Sequence, residues 1–182
     1  MMAGDNASLV CIGPAALRSL RESLERALGD QAAPLLQEVG YAAGPELYQS
    51  FKSWLGTRAN VEDPADLDAS FLGPMASEFF EHMGWGTLTI EQLGNAAFAV
   101  DTTDWIEAGD ETAAPLPSCH LTTGLLAAFL TELATDVVAV MQVECLTCGD
   151  DRCRFLAGAP AVLQRVFDAM TEGRDYTELL TV

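Results

Sequence analysis

The sequence lacks any run of about 18 uninterrupted apolar residues, so a membrane-crossing helix is not expected. It has no Lys or Arg between Arg58 and Arg152, while acidic residues recur from Glu62 to Asp151. Over 182 residues, 27 acidic side chains stand against 9 basic ones, for a net charge of −18. Such a surface repels phosphate backbones and anionic lipid, so neither nucleic acid nor a membrane is expected as a partner. No basic stretch followed by a long apolar one opens the chain between Met1 and Pro14, and the expected location is therefore cytoplasmic. Histidine is scarce, with only His82 and His120, and no Gly-x-Gly-x-x-Gly follows a strand-like run. No triad or paired-carboxylate arrangement has convincing spacing either, so no catalytic residue is assigned. Cysteine is sparse and odd in number, which argues against a disulfide framework.

What is present is a chain 49% apolar, long enough for one domain to bury a substantial core. No repeat or Gly/Ser-rich linker divides it, so residues 15–182 read as one domain behind an N-terminal segment, 1–14. Helical spacing runs from Pro14 to Leu28, with Arg18, Arg21, Glu22, Glu25 and Arg26 expected outside. Asp30 is placed to cap a second helix, on which Leu35, Val39, Ala43, Leu47 and Phe51 recur every four residues. Gly40, Gly44 and Pro45 interrupt it; small residues there admit a close neighbour, and proline bends a helix or starts a new one.

A third helix is expected over Ala69–Met83, with Phe71, Met75, Phe79 and Met83 on one side and Gly84 as its stop. Gly86–Gln92 and Ala96–Thr102 read as strands joined at Leu93-Gly94-Asn95. An acidic loop, Thr103–Pro117, follows and carries Trp105; loops of this length often act as lids. His120–Ala134 is a strongly apolar helix. Val137–Cys145 and Arg152–Leu156 pair across a tight turn at Gly149-Asp150, and Pro160–Thr171 closes the pattern with Leu163, Val166, Phe167 and Met170 facing inward. The expected fold is α+β, an antiparallel sheet of about four strands packed with helices.

Three of the five cysteines, Cys145, Cys148 and Cys153, fall within nine residues. Cys145 and Cys153 sit on opposite arms of the expected hairpin, and Cys119 lies just ahead of a helix, where the dipole favours a thiolate. Three such thiolates make a soft site suited to zinc. Glu144, Gln142, Cys148 and His120 are all candidates for a fourth ligand. Two other readings stand beside this one: buried core cysteines, and a redox pair in Cys145-Leu146-Thr147-Cys148.

The run Cys119-His120-Leu121-Thr122-Thr123-Gly124-Leu125-Leu126-Ala127, followed by Cys145-x3-Gly149-Asp150-x2-Cys153-x-Phe155, resembles the 4-vinyl reductase domain family. Leu35 to Gly44 is similar to the family's early glycine-bearing helix, and Met83-Gly84-Trp85-Gly86 to its entry into the first hairpin. The resemblance implies a fold shared with phenol-sensing domains and vesicle-tethering subunits, of the nitric-oxide-signalling and Golgi-transport ligand-binding type. It further implies zinc held by Cys119, Cys145 and Cys153, with Gln142 at the family's carboxylate position and Glu144 close enough to substitute. An enclosed apolar pocket is implied as well, for which Phe79, Met83, Trp85, Phe98, Trp105, Phe129 and Met141 are the candidates, with Trp105 as lid. His82 reads as a packed aromatic or as a donor to the ligand.

The function expected from these readings is sensory: a small hydrophobic or aromatic molecule held beside a structural zinc, in a homodimer formed through the N-terminal helices, signalling to a separate protein. The alternatives are a factor in tetrapyrrole vinyl-group reduction and an interaction module with a bound acyl chain.

Overall fold

Helix α1, Pro14–Leu28, starts at a proline, whose fixed φ suits the first helical position. The computed structural model describes residues 12–108 and 116–180. Most of the N-terminal segment, Cys11 and the middle of the acidic loop lie outside them. Only Leu17 and Arg21 of α1 are buried, so Arg21, expected on the outer face, points inward one turn beyond Leu17.

Asp30 does not cap α2. It sits in a 3-10 turn, Gly29–Gln31, that runs directly into α2, Ala32–Ala59, so the first N–H groups of the helix have no side-chain cap. Nor do Gly44 and Pro45 end α2, which continues through them for 28 residues. Its inner face is Leu36, Gly40, Gly44, Leu47, Tyr48, Phe51 and Leu55, while Leu35 and Val39 are 37% and 51% exposed. The reason lies in α4, His120–Ala134, which packs along α2 at backbone distance. A Cβ on Gly40 would collide with the Leu121 carbonyl, and one on Gly124 with the Gln37 carbonyl. Glycine, not leucine, therefore defines the contact face in this half of the helix.

Helix α3, Ala69–His82, buries Ala76, Phe79 and Phe80; Met75 and, just past its end, Met83 pack half-buried on the same core as expected, and Phe71 alone of the expected stripe is exposed. Gly84, at φ +78°, ends this segment as expected, and His82 is exposed rather than packed. Four strands follow: β1 Thr89–Leu93, β2 Ala97–Thr102, β3 Ala139–Glu144 and β4 Cys153–Gly158. They form one antiparallel sheet in the order β1-β2-β4-β3, the α+β arrangement expected. The pairing of β3 with β4 is irregular between Gln142 and Glu144, at the end of the sheet that carries the cysteines.

Strand alternation divides the interior in two. Val100 and Phe155 face α2, α3 and α4 and join an aromatic core of Phe51, Phe79, Phe80, Trp105 and Phe129. Ala99 and Leu156 face the other way, onto Leu163 and Val166 of α5, Pro160–Thr171, and Leu180 of α6, Tyr176–Leu180. Phe167 of α5 is exposed where burial was expected. Helix α6 has no counterpart in the sequence reading, because five residues are too few to show a period.

Candidate metal centre

The three cysteines named from spacing meet at one end of the sheet. Cys119 precedes the first turn of α4, Cys145 follows β3, and Cys153 opens β4 opposite Thr102. Between the last two, Leu146–Cys148 forms a 3-10 turn, and Gly149 adopts φ +93°, a conformation that favours glycine. The Asp150 carboxylate locks this turn by accepting the Cys145 N–H at 2.7 Å. The connection is therefore longer than the tight turn expected at Gly149-Asp150.

All three sulfurs are fully buried, and each Sγ–Sγ distance is 3.9 Å. Sulfurs bound at 2.3 Å to a common zinc stand about 3.8 Å apart in a tetrahedral site and about 4.0 Å apart in a trigonal one. The observed triangle falls between these values, so the donor set fits zinc in both chemistry and size. It is much too wide for a disulfide, and the described cysteines are all unpaired. Among the described residues these three form the one group of His, Cys, Asp or Glu whose ligand atoms gather within 4.8 Å.

The surrounding contacts serve the sulfurs. Thr147 Oγ1 lies 2.9 Å from Cys145 Sγ and 2.9 Å from Ser118 Oγ, and the Leu146 N–H points at Cys153 Sγ from 3.5 Å. Hydrogen bonds from Cys119 and Cys153 hold the Cys145 thiol far below the ordinary range, and the bond Cys119 makes to Cys145 pushes Cys119 far above it. Cys153 is lowered by Cys119, but Cys145 and burial outweigh this and push it up to about 12. Full ionisation of the triangle requires a cation among the sulfurs.

The candidates for a fourth ligand go elsewhere. Glu144 turns away from the sulfurs: its carboxylate accepts from Arg152 Nε at 2.7 Å and from the Tyr176 hydroxyl. Despite burial, the hydrogen bonds of Arg152 and Tyr176 keep that carboxyl below its usual range. An available arginine outcompetes a cluster of thiols for it. Gln142 spends its oxygen on the Cys119 N–H, at 2.9 Å, and its amide N–H on the Glu144 carbonyl. Cys148 stays half-buried in the turn, and His120, whose pKa burial lowers, faces a cleft on the α1 side.

Two buried groups were missed. Glu107 caps α4 from a distance, accepting the N–H groups of Leu121 and Thr122 at 3.0 and 2.7 Å and the Thr122 hydroxyl at 2.5 Å. Burial raises its pKa in spite of these bonds. Arg21 reaches from α1 to the Glu107 carbonyl at 3.0 Å. Glu107 lies 13 residues before α4 and shows no local capping pattern, whereas the place of Arg21 one turn after Leu17 was a readable sign.

Five of the seven residues expected around one pocket come together, but in a packed core, while Phe98 and Met141 lie elsewhere. Phe79, Trp105 and Phe129 pack in the aromatic core, ring against ring, at centroid distances of 5.2 to 5.5 Å from Phe51 or Phe80. Trp105 is no lid: it is 2% exposed and donates its indole N–H to Thr122 Oγ1 at 2.7 Å. Met83 and Trp85 are half-buried at the edge of this core. Phe98 is exposed at the far end of the sheet, and Met141 packs on the α5 side because it neighbours Val140 on a strand.

Residues 99–159 match the 4-vinyl reductase domain family, a stretch that contains all three cysteines and both arms of their hairpin. The resemblance drawn from the sequence motifs holds there. No curated protein sequence matches the chain. Among solved structures, it resembles the phenol-responsive sensory domain of the transcription activator PoxR, determined with phenol: 18% identity, TM-score 0.62, 82% of this chain and 76% of that one. It also resembles a trafficking protein particle complex subunit 3 from Naegleria fowleri, covalently bound to palmitic acid: 15% identity, TM-score 0.63, 80% and 91% of the two chains. A vinyl-4-reductase family protein from Methanocaldococcus jannaschii is 21% identical over 67% of this chain and 66% of that one, with a TM-score of 0.48. The first two establish a common fold.

Proposed function

We propose that the chain is a sensory domain that binds a small hydrophobic or aromatic molecule, with zinc held structurally by Cys119, Cys145 and Cys153. The observation that carries this reading is the buried 3.9 Å sulfur triangle, set within the stretch that matches the 4-vinyl reductase domain. The fold shared with a phenol-responsive sensory domain supports the ligand class. With three protein ligands, the fourth position falls to water or a ligand atom. Zinc there would tie the start of α4 to the β3–β4 hairpin. The exposed apolar side chains of α1 and α2, Leu28, Leu35 and Val39 among them, support pairing of two copies through these helices. The output would then pass to a separate protein.

A second reading, an interaction module holding an acyl chain, draws on an apolar groove of about 400 Å³ at the opposite end of α4. Leu72, Ile90, Val100, Leu130 and Leu133 line it. The fold it shares with a palmitate-bearing subunit points the same way. No described cysteine lines this groove, so the acyl chain would be held without a covalent bond.

Native mass spectrometry of the purified chain separates the readings. One zinc per chain with a small aromatic or apolar adduct is expected. A fatty acid adduct supports the second reading, and a chain free of both metal and adduct refutes the first.

A further inference from the structure

Outside the aromatic core, a cleft of about 880 Å³ lies between α1, the first turns of α2 and α4, and β3, beside the cysteine corner. Its volume suits a small organic ligand. Val140, Ala32, Ala33 and Pro117 supply apolar wall. The polar groups of the cleft divide into those already committed and those still available.

Gln142, Thr147 and Ser118 are engaged with the cysteines and with one another, and the Thr123 hydroxyl donates to the Cys119 carbonyl. Arg21 is different. It is 8% exposed, it lines the cleft, and its guanidinium makes one hydrogen bond, through Nη1 to Glu107. Its Nε is buried with no hydrogen-bond partner; Glu25 lies 3.6 Å away, close enough for charge attraction only. A guanidinium has five N–H donors, and leaving them unmet in a buried place is costly. The His120 ring, across the cleft, has no hydrogen bond to any described residue.

The charges in the cleft select the ligand. Arg21 is opposed by Glu25 and by Asp30 at the rim, in a chain of net charge −18. An anion would meet a net negative site, and a cation would be placed against Arg21. We infer that this cleft binds an uncharged, partly apolar molecule that presents a carbonyl or hydroxyl oxygen to Arg21. The inference rests on the ligand-binding reading above and moves the ligand out of the aromatic core to the α1 side.

The test uses three probes of closely similar shape on the full metal-loaded chain: 5-phenyl-2-pentanone, 4-phenylbutyrate and 4-phenylbutylamine, followed by amide NMR shifts. The ketone is expected to shift residues of α1 and the first turns of α2 and α4, and to bind at least ~10-fold more tightly than either charged probe. Arg21→Gln should weaken it by a similar factor. Because Arg21 also tethers Glu107, a second variant, Ala33→Trp, fills the cleft from a half-exposed helix position and should abolish binding with the metal retained. Ketone binding that survives Ala33→Trp, or shifts confined to the aromatic core, overturns the cleft while leaving the sensory reading standing. Equal affinity for the three probes, or binding of none, overturns the ligand class. A native chain that carries no adduct of any kind counts against the sensory reading itself.

Discussion

The two ends of α4 are held by different physics. At its N-terminus Cys119, Thr122 and Thr123 are fixed through heteroatoms: sulfurs at 3.9 Å, the Glu107 carboxylate and the Gln142 amide. A few residues on, Phe129 meets Tyr48, Phe51 and Phe80 in edge-on ring contacts. The aromatic half is complete as it stands, since each of these rings has its neighbours in the buried core. The thiol half is not, because three sulfurs buried 3.9 Å apart cannot all give up their protons unless a cation sits among them. One half closes by packing and the other by coordination, and only the second can respond to a metal.

The sharpest way to break this contrast is to remove one sulfur. Cys145→Ser should release the metal and lower the melting temperature by more than ~10 °C, whereas Cys148→Ser should leave both within error. Thermal melts with metal analysis decide it, and equal effects at the two positions would erase the distinction. Truncation in the packed half, Phe129→Ala, should cost ~3–5 kcal/mol by denaturant titration while zinc content stays unchanged. Gly124→Ala, where the two halves meet and a Cβ would strike the Gln37 carbonyl, should cost ~1–3 kcal/mol or more.

Glu107 gives the smallest effect and the one with a pH signature. Burial raises its folded pKa above the ordinary value of 4.5, so folding favours its protonated form. The stability linked to this group is therefore full below about 4.5 and lost as pH rises through the raised value. Wild type compared with Glu107→Gln should show that slope in the difference between their unfolding free energies. A difference independent of pH would show that Glu107 titrates alike in folded and unfolded chains.

Much of this was readable in the sequence, and the failures have common causes. The α1, α4 and α5 boundaries follow from proline starts and apolar spacing, and the four-strand sheet from two turn-bounded pairs. The three sulfurs were legible because a helix start and two hairpin arms are places where distant residues converge. On α2 the close neighbour at Gly40 and Gly44 and the burial of Leu47 and Phe51 follow the sequence, whereas Leu35 and Val39 were misplaced because hydrophobicity alone points to them. On α3 only Phe71 departs from the expected stripe: it is as apolar as Phe79, and only the tertiary contacts distinguish them. Glu144 was assigned to the metal by proximity in sequence, yet Arg152 and Tyr176 take its carboxylate. The pocket failed because strand alternation sends Met141 and Val140 to opposite faces, and because Trp105 finds its hydrogen bond in Thr122 inside the core.

X-ray absorption at the zinc edge of the purified chain tests the account at its centre. The expected spectrum shows one zinc per chain with three sulfur neighbours at about 2.3 Å and one lighter atom. A folded, stable chain without stoichiometric metal, whose three thiols all react with a thiol reagent once it is unfolded, would contradict it.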